Sequence, residues 1–331
     1  MKILAKILFA VLFIISVIYL FNSQSFNLSE KTLSLQRISL RLPIPVADTA
    51  FSPYYLAVDK GIFAKYGFDV TLEPGTPELN PVKMVSQGMD DFGVLGGPEL
   101  LFSGRNKGAT ITGIALLHKD SNFVVLLTLK EKEINELKDL QNKSVGFFYG
   151  HISTDILRML FKKNNIKVNE VDVGFDYGSL ITGSIDAQWA FRSTAGITLP
   201  AKGIEVNVIS PADYGIRTNG HMIIVNDSLL KNNPGLVQRF TDALVEAINF
   251  ALSNEDEAIA ATIARDPNFS YDIGKKQLSI YNNAILRNKP IGWIHEEDMQ
   301  IASKQMIEAG LISEYFDANS AFTNRFLKPL E

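Results

Sequence analysis

Three aromatic side chains lie close together near the start of the chain, and each has the chemistry to stack on a flat ring. They are Phe51, Tyr54 and Tyr55, in the sequence F-S-P-Y-Y. Offset or edge-on packing between aromatic rings stabilises a contact beyond the area that it buries. We therefore predict that one of the three contacts a ligand. The alternative is that they pack a hinge or cap the helix that follows.

Two strand–loop–helix corners carry further candidates. In the first, G-G-P-E, Gly97 precedes a helix N-terminus whose N–H groups can hold polar ligand atoms, and Glu99 can accept hydrogen bonds. The second, Y-G-H-I-S-T, supplies Tyr149, Gly150, His151, Ser153 and Thr154. Structural alternatives stand beside these roles. Glu99 would stabilise its helix dipole by about 0.3–1 kcal/mol, Ser153 or Thr154 would cap a helix, and an isolated histidine is commonly structural.

Three candidates follow later in the chain, namely Trp189, Arg192 and Tyr214. Trp189 would form a stacking wall or belong to the core. Arg192 would bind a carboxylate, phosphate or sulfonate through two parallel hydrogen bonds. Tyr214, in the sequence A-D-Y-G-I, would close the hinge side of a pocket.

The sequence lacks the motifs that usually accompany catalysis. It contains no cysteine, which excludes disulfides, thiolate metal sites and cysteine nucleophiles. Its 4 histidines are scattered, and H-E-E beginning at His295 lacks the H-E-x-x-H spacing of a zinc site. Neither G-x-G-x-x-G nor G-x-x-x-x-G-K-[ST] occurs. We predict a binding protein without enzyme activity, metal or cofactor.

Length and composition indicate a globular chain of two domains. It has 331 residues, of which 46% are hydrophobic and 21% charged. The net charge of -4 gives no electrostatic case for a nucleic-acid partner. We expect a monomer that binds a small molecule.

The elements that must position the candidates alternate between strands and helices. From Ala50 to Gly75 the pattern predicts a loop, a helix beginning at Pro53, reversals at Gly61 and Gly67, and a strand. The alternation restarts after a charged segment, and long helices follow residue 234. Such β-α order predicts mostly parallel sheets, of which we expect two.

We predict two lobes with a ligand cleft between them. Lobe I comprises residues 37–128 and 220–331, and lobe II comprises residues 129–219. The chain would cross between the lobes near Leu127–Leu129 and near Tyr214–Met222. Lobes joined by strand-like hinges close on a ligand, so the cleft is the expected binding site.

The N-terminus has the pattern of an export signal. Lys2 and Lys6 precede an apolar run from Ile7 to Phe21, and small polar residues follow it. We predict that residues 1–25 form a signal peptide or a retained membrane anchor, and that residues 26–36 form a linker. Both outcomes place the rest of the chain on the periplasmic or extracellular face of the membrane.

Several segments together resemble a known family. In chain order they are F-S-P-Y-Y-L-A-V-D-K-G-I-F-A-K-Y-G-F-D-V, M-V-S-Q-G-M-D-D-F-G-V, D-L-Q-N-K-S-V-G-F-F-Y-G, G-S-I-D-A, A-D-Y-G-I, G-W-I-H-E-E-D-M-Q and A-G-L-I-S-E-Y-F. From about Phe51 to Leu327 the chain resembles the periplasmic binding protein type II superfamily. The similar branch is the NMT1/THI5-like one, which captures thiamine pyrimidine precursors, sulfonates and nitrate for ABC importers. The first segment is the most specific, and A-D-Y-G-I with the tail segments is most similar to the pyrimidine-precursor binders.

The resemblance implies a two-lobed α/β fold, in which two mixed, mostly parallel sheets carry helices on both faces and a ligand cleft lies between the lobes. It implies binding without catalysis, an ABC permease in the membrane as partner, and a thiamine pyrimidine precursor as ligand. Glu99 occupies the position of a polar ligand contact in the pyrimidine binders. Arg192 departs from them, because they carry an acidic residue there, and an arginine favours an anionic solute.

Other functions stay open at the level of sequence. One is the binding of an anionic solute such as an alkyl sulfonate or nitrate. Another is an enzyme of pyrimidine biosynthesis with the same fold, against which the export segment and the lack of cysteine count. A third is a membrane-anchored ligand sensor without a transport role. Intact-mass measurement of the secreted chain separates the anchored form from the cleaved one, since cleavage removes about the first 25 residues.

Overall fold

The computed structural model describes residues 35–329, which form an α/β fold with two five-stranded sheets. The strands of this range are β1 (Gln36–Arg41), β2 (Phe68–Glu73), β3 (Phe92–Leu95), β4 (Ile111–His118), β5 (Val124–Leu129), β6 (Ser144–Phe147), β7 (Asn169–Asp172), β8 (Ala187–Phe191), β9 (Val206–Ile209) and β10 (Gly220–Asn226). The α-helices are α1 (Ser52–Asp59), α2 (Ile62–Lys65), α3 (Pro81–Ser86), α4 (Pro98–Asn106), α5 (Ile152–Lys163), α6 (Gly178–Ile181), α7 (Ala195–Ala201), α8 (Asp227–Asn232), α9 (Pro234–Ser253), α10 (Glu255–Ile263), α11 (Tyr271–Arg287) and α12 (Glu296–Glu308).

Both sheets are mixed and share one pattern of strand pairing. The first has the order β2-β1-β3-β10-β4, in which β1 pairs in parallel with β2 and β3, and β10 runs antiparallel between β3 and β4. The second has the order β7-β6-β8-β5-β9, in which β6 pairs in parallel with β7 and β8, and β5 runs antiparallel between β8 and β9. In each sheet a single strand therefore runs against the others. The predicted pair of mixed, mostly parallel sheets is confirmed.

Apolar cores cover both faces of the first sheet. In β10, Ile223 and Val225 belong to one apolar cluster, whereas Met222 and Ile224 belong to another. Successive side chains of a strand point to opposite faces, so each cluster lies on its own side of the sheet. The second cluster also contains Leu126 of β5. One apolar core therefore extends from the first sheet to the second.

The chain passes between the sheets at two places, between β4 and β5 (119–123) and between β9 and β10 (210–219). The first passage lies earlier than the predicted crossing near Leu127–Leu129, because β5 pairs with β8 and β9 of the second sheet. Both β4 and β5 are continuously buried, so hydrophobic periodicity did not reveal where the sheet changes. Asp120 and Asn122 make the turn, with φ of 47° and 45°. The lobe boundaries themselves stay a prediction.

The corner that carries the first aromatic candidates folds as its sequence predicts. A 3-10 turn over Thr49–Phe51 leads directly into α1, whose first turn contains Pro53. Gly61 and Gly67 adopt positive φ of 66° and 88°, which a glycine reaches without steric cost. They reverse the chain on either side of α2 and lead it into β2.

Helix α9 packs back onto this corner. Phe240 of α9 stacks on Phe92 of β3 at 3.7 Å between ring centroids, and on Phe63 of α2 at 5.7 Å. Helix α12 lies elsewhere and contacts both α4 and α5. The C-terminal helices therefore support helices that follow candidate loops of both sheets.

The predicted signal peptide or anchor over residues 1–25 lies outside the described residues, as does all of the predicted linker except its last two residues. Of those two, Gln36 already begins β1. Between residues 35 and 329, no helix combines the length and apolarity that a membrane span requires.

Candidate ligand site

A cavity lies where loops from both sheets meet. The first sheet contributes the loop after β1, the loop after β3 and the start of β10, while the second contributes the start of α5 and the residues after β8. In open α/β sheets ligands bind beyond the carboxyl ends of parallel strands, and this cavity has that position. A neighbouring cavity shares Pro43, Gly96 and His151 with it and adds Gly150.

The side of the cavity formed by the first sheet is aromatic. Phe51 stacks on His221 with ring centroids 5.4 Å apart and an interplanar angle of 5°. His118 lies behind, 4.6 Å from the ring of His221 and 5.6 Å from that of Tyr281. Phe123 meets Tyr281 edge-on at 5.2 Å. We call Phe51, His118, Phe123, His221 and Tyr281 the first aromatic wall.

The opposite side, formed by the second sheet, is aromatic as well. His151 lies 4.8 Å from Trp189 and 5.4 Å from Phe191. Trp189 is fully buried and stacks on Phe148 at 5.7 Å with an angle of 12°. We call His151, Phe191, Trp189, Phe148 and Phe175 the second aromatic wall. His151 and Phe191 line the main cavity, whereas Trp189 supports them from behind.

A polar bridge connects the two sides of the cavity. The Tyr281 hydroxyl of α11 lies 2.8 Å from the Ser193 hydroxyl, just beyond β8.

The Asp48 carboxylate accepts a hydrogen bond from Ala50 N–H at 2.8 Å. Burial raises the pKa of Asp48 to about 6, against the effect of this bond and of Tyr281, which lower it. The cavity therefore holds one acidic group whose ionisation falls close to neutral pH.

His151 is neutral and fixed by its own corner. Its Nδ1 lies 2.9 Å from the Ser153 hydroxyl and accepts a hydrogen bond from Ser153 N–H at 3.3 Å. Burial lowers the pKa of His151 to about 3. Thr154 donates to the Phe148 carbonyl at 2.6 Å. Ser153 and Thr154 thus stabilise the start of α5, and neither lines the cavity.

Glu99 and Gly97 lie beside the cavity, outside its lining. Glu99 is fully buried, and neither carboxylate oxygen has a hydrogen-bond partner within residues 35–329. Burial raises its pKa to about 8, with a further rise from Asp155 of α5. A Cβ at Gly97 would lie 2.6 Å from Glu99 Oε2 and 2.7 Å from the Asn219 carbonyl oxygen. Only glycine fits this close approach.

Of the first three aromatic candidates, only Phe51 lines the cavity. Tyr54 is fully buried, and its hydroxyl has no partner in the described part of the chain. Tyr55 lies under the Arg265 guanidinium, 4.7 Å from the ring centroid. Burial raises the pKa of Tyr55 to about 12. Both tyrosines therefore belong to the apolar core and not to the lining.

Three other predicted site residues lie away from the cavity. Tyr149 is 41% exposed and bonds to Glu170 at 3.1 Å. The Tyr214 hydroxyl accepts a hydrogen bond from Leu137 N–H at 3.0 Å. Arg192 is exposed, whereas Phe191 and Ser193 on either side of it line the cavity. Strand β8 ends at Phe191, and Arg192 lies exposed in the turn that Thr194 N–H closes on the Phe191 carbonyl at 3.1 Å.

The cavity also contains residues that the sequence analysis did not select. Among them are Asp48, Ser193, Asn219, His221 and Tyr281. Ser193 lies in the turn after β8, and His221 is an isolated histidine at the start of a strand. Tyr281 comes from a helix far along the chain, and no local pattern marks it. Among the described residues, no group of His, Asp and Glu side chains is arranged to hold a metal ion.

The family model described as "NMT1/THI5 like" matches residues 48–258 of the chain. The riboflavin-binding protein RibY of Chloroflexus aurantiacus is 23% identical over 310 residues, which are 89% of this chain and 87% of that protein. A formylaminopyrimidine-binding protein of Halalkalibacterium halodurans is 22% identical over 237 residues, covering 68% of this chain and 71% of that protein. A 4-amino-5-hydroxymethyl-2-methylpyrimidine phosphate synthase of Saccharomyces cerevisiae is 27% identical over 241 residues, which cover 68% of this chain and 70% of that protein.

A solved structure shows the same fold. The periplasmic aliphatic sulphonate binding protein SsuA of Escherichia coli superposes with a TM-score of 0.68 at 14% identity, covering 87% of this chain and 97% of that one. Two mixed five-stranded sheets with the pairing given above therefore form a periplasmic binding protein fold.

Proposed function

This chain belongs to the NMT1/THI5-like family, and we propose that it is a solute-binding protein that captures a small flat heterocycle for an ABC importer. The proposed ligand is an aminopyrimidine of the kind that serves as a thiamine precursor. One observation carries the proposal. The cavity has an aromatic wall on each side, and no Lys or Arg is among the described residues that line it.

The aromatic walls suit a planar ring. Phe51 presents its ring on one side, with the His221 imidazole stacked on it, and His151 with Phe191 lies on the other side. A heterocycle between them would bury both of its faces against aromatic carbon while its edge stays available for hydrogen bonds.

The charge of the cavity favours this ligand over an anionic solute. A sulfonate or nitrate loses its hydration on entering, and the loss is offset only by cationic or well-aimed donor groups. The ionisable residues that line the cavity are instead Asp48, His151, His221 and Tyr281. Burial lowers the pKa of His151 to about 3 and of His221 to about 4, so neither imidazole is charged at neutral pH. Arg192, on which the anionic alternative rested, lies outside.

We also propose that the chain binds without catalysis. A yeast relative is named as a synthase, and an enzyme that uses a serine nucleophile would need an activated hydroxyl in the cavity. Two serines line it: Ser193 pairs with Tyr281, and Ser121 donates to the Thr218 carbonyl, so neither bonds to a histidine in the described part of the chain. His151 does contact a serine hydroxyl, but Ser153 is fully buried and outside the lining. None of these serines is therefore placed as an activated nucleophile facing a bound solute.

The two sheets give the proposed mechanism of capture. We propose that each sheet is the centre of one lobe and that the segments 119–123 and 210–219 form the hinge. The closed lobes would then present the solute to a membrane permease on the extracytoplasmic side.

Thermal unfolding with a panel of solutes tests the ligand class. The panel contains 4-amino-5-hydroxymethyl-2-methylpyrimidine, riboflavin, an alkyl sulfonate and nitrate. A solute at 100 times its Kd stabilises the folded chain by about 2.7 kcal/mol. We expect the aminopyrimidine to raise the Tm and the two anions to leave it unchanged.

Other results would change the conclusion in defined ways. Stabilisation by the sulfonate alone would contradict the heterocycle and restore the anionic alternative. Stabilisation by riboflavin alone would keep the heterocycle and replace the pyrimidine. Turnover of the aminopyrimidine, followed by mass spectrometry, would contradict binding without catalysis.

A further inference from the structure

We propose that His221 selects the ligand, by hydrogen-bonding through its imidazole to the edge of the bound ring and so preferring an amino-substituted heterocycle to the same ring without the amino group. This inference rests on the proposed function, since it names the residue that would give that site its specificity.

The backbone of His221 is the first observation. Its φ is 41°, in the left-handed region, although the residue lies in β10. Residues other than glycine enter this region at a cost, and such conformations persist where the surroundings fix them, commonly at functional sites. Strands normally have negative φ, so this reversal changes the direction of one side chain without ending the strand. The side chain so directed lines the cavity.

The ring of His221 is held in place on two sides. Phe51 stacks on it at 5.4 Å with an angle of 5°, and His118 lies at 4.6 Å with an angle of 47°. His118 is itself 1% exposed and stacks on Tyr281. The imidazole plane of His221 is therefore fixed before a ligand arrives, which limits the entropy lost on binding.

The hydrogen-bond inventory of the cavity singles out the same residue. Asp48 accepts from Ala50, Ser193 pairs with Tyr281, and His151 pairs with Ser153. Nδ1 of His221 is the buried side-chain atom of the lining that has no hydrogen-bond partner in the described part of the chain. Buried polar atoms in folded proteins nearly always have hydrogen-bond partners, and each atom without one requires an explanation.

A neutral imidazole matches the edge of an aminopyrimidine. It carries one donor and one acceptor nitrogen. An aminopyrimidine offers the complementary groups, an amino N–H that donates and a ring nitrogen that accepts. A ligand without the amino group leaves the acceptor nitrogen of the imidazole without a hydrogen bond. For a buried group this costs about 1–3 kcal/mol of binding free energy. That cost is roughly a 5-fold to 150-fold preference for the amino compound.

A matched pair of ligands tests the inference on the full chain. Isothermal titration calorimetry gives the Kd of 4-amino-5-hydroxymethyl-2-methylpyrimidine and of its analogue with a methyl in place of the amino group. We expect the wild-type chain to prefer the amino compound by roughly 10-fold or more, and His221→Gly to reduce this ratio to about 1. Glycine adopts left-handed φ without steric cost and offers no side-chain donor or acceptor to the ring edge, so the backbone is retained while the hydrogen-bonding group is removed. The control is His295→Gly, which changes a histidine outside the cavity and should keep the wild-type ratio.

The outcomes separate the two proposals. If the wild-type chain binds the aminopyrimidine and His221→Gly keeps the wild-type ratio, the role of His221 is wrong while the proposed function stands. If the wild-type chain binds neither compound, the proposed function fails and this inference fails with it. A purely structural role for His221 would weaken both compounds equally.

A second measurement does not depend on a variant. In wild-type protein labelled with 15N at histidine, addition of the amino compound should shift a ring nitrogen of His221 in the long-range 15N spectrum. The methyl analogue should leave that resonance in place. An unchanged His221 nitrogen in the saturated aminopyrimidine complex would overturn the inference.

Discussion

Phe51 is the residue through which the first corner reaches the cavity. It is 1% exposed and stacks on His221, while its neighbours Tyr54 and Tyr55 lie 6.5 Å and 6.4 Å from its ring. The same side chain therefore supports the corner and forms the surface that a ring would touch. A substitution at this position has to separate these two roles.

Phe51→Leu should weaken aminopyrimidine binding more than it weakens folding. Leucine keeps most of the buried volume but loses the ring stacking, which contributes about 0.5–1.5 kcal/mol and corresponds to a 2-fold to 10-fold rise in Kd. Phe63→Leu is the matched control, because Phe63 is equally buried and stacks on Phe240 away from the cavity. Calorimetry and thermal unfolding of both variants check this. Equal Kd values for the two variants would contradict a ligand contact at Phe51.

Glu99 makes stability depend on pH. Burial raises its pKa to about 8, above the 4.5 of an ordinary glutamate. Between these values the folded state holds a proton that the unfolded state releases, so the free energy of unfolding falls as the pH rises from 4.5 to 8. Glu99→Gln removes this titration and retains the shape of the protonated acid.

We expect Glu99→Gln to match the wild-type Tm near pH 5 and to exceed it near pH 8. Each kcal/mol by which the substitution raises the free energy of unfolding at pH 8 should raise the Tm by roughly 2–4 °C for a chain of this size class. Thermal unfolding at a series of pH values measures the difference, and Glu131→Gln at an exposed glutamate is the control. A difference between Glu99→Gln and wild type that is the same at every pH would contradict a buried, titrating Glu99.

At the residue scale the sequence predicted the corners better than their individual side chains. Phe51 and His151 are predicted site residues, and both line the cavity, because each follows a strand at the sheet edge where ligands bind. The charge of Arg192 predicts a contact with an anion, but the side chain lies exposed in the turn that follows β8. Tyr54 and Tyr55 differ from Phe51 only in their position around a helical turn. That position depends on tertiary packing, which local spacing does not record.

At the scale of elements, α11 and the end of β8 are joined by the hydroxyls of Tyr281 and Ser193. Helix α11 contacts β4 of the first sheet, whereas β8 is a strand of the second. This bond therefore connects the two sides of the cavity directly. It can form only when those sides are close.

Tyr281→Phe should speed ligand dissociation by weakening this connection. A net hydrogen bond contributes about 0.5–1.5 kcal/mol, so we expect a 2-fold to 10-fold faster off-rate. Ser193→Ala should have the same effect, and the double variant should add little, because both remove one bond. Tyr66→Phe is the control, since its hydroxyl bonds to Glu246 at 2.8 Å on the surface. Fully additive effects in stopped-flow measurements would contradict the bridge.

The elements themselves could be predicted well, but their membership in sheets could not. Strand β5 is a clear apolar run in the sequence, and so is β4 before it. Neither apolar run indicates that the chain passes from the first sheet to the second between them. The turn residues Asp120 and Asn122 mark a reversal, but many reversals connect strands of one sheet.

At the scale of the whole molecule, the cavity is too small for the ligand proposed. Its volume is about 40 Å³, little more than the roughly 30 Å³ that one water occupies in the liquid. Ligand pockets commonly measure about 300–1,000 Å³. The sides of the cavity therefore have to separate for a heterocycle to enter, and the proposed hinge segments would permit this.

Distance measurements between two spin labels test this opening. The chain contains no cysteine, so two cysteines introduced at Leu79 and Ile181 would be the only sites that react with a thiol-specific spin label. Both positions are 43% exposed. We expect added aminopyrimidine to narrow the distance distribution and shift it to shorter values. A pair at Leu79 and Leu286, both next to elements of the first sheet, should not change. An identical shift in both pairs would contradict motion of one sheet against the other.

The strand order also has a consequence for how the chain assembles during synthesis. The second sheet is built from one continuous segment, β5 to β9, whereas the first sheet needs β10 between β3 and β4. Until residues 220–226 emerge from the ribosome, β4 lacks its partner and β3 has a free edge. Unpaired edges are prone to association with other chains. The second sheet can therefore form first, and the nascent chain should need most protection from aggregation just before β10 is made.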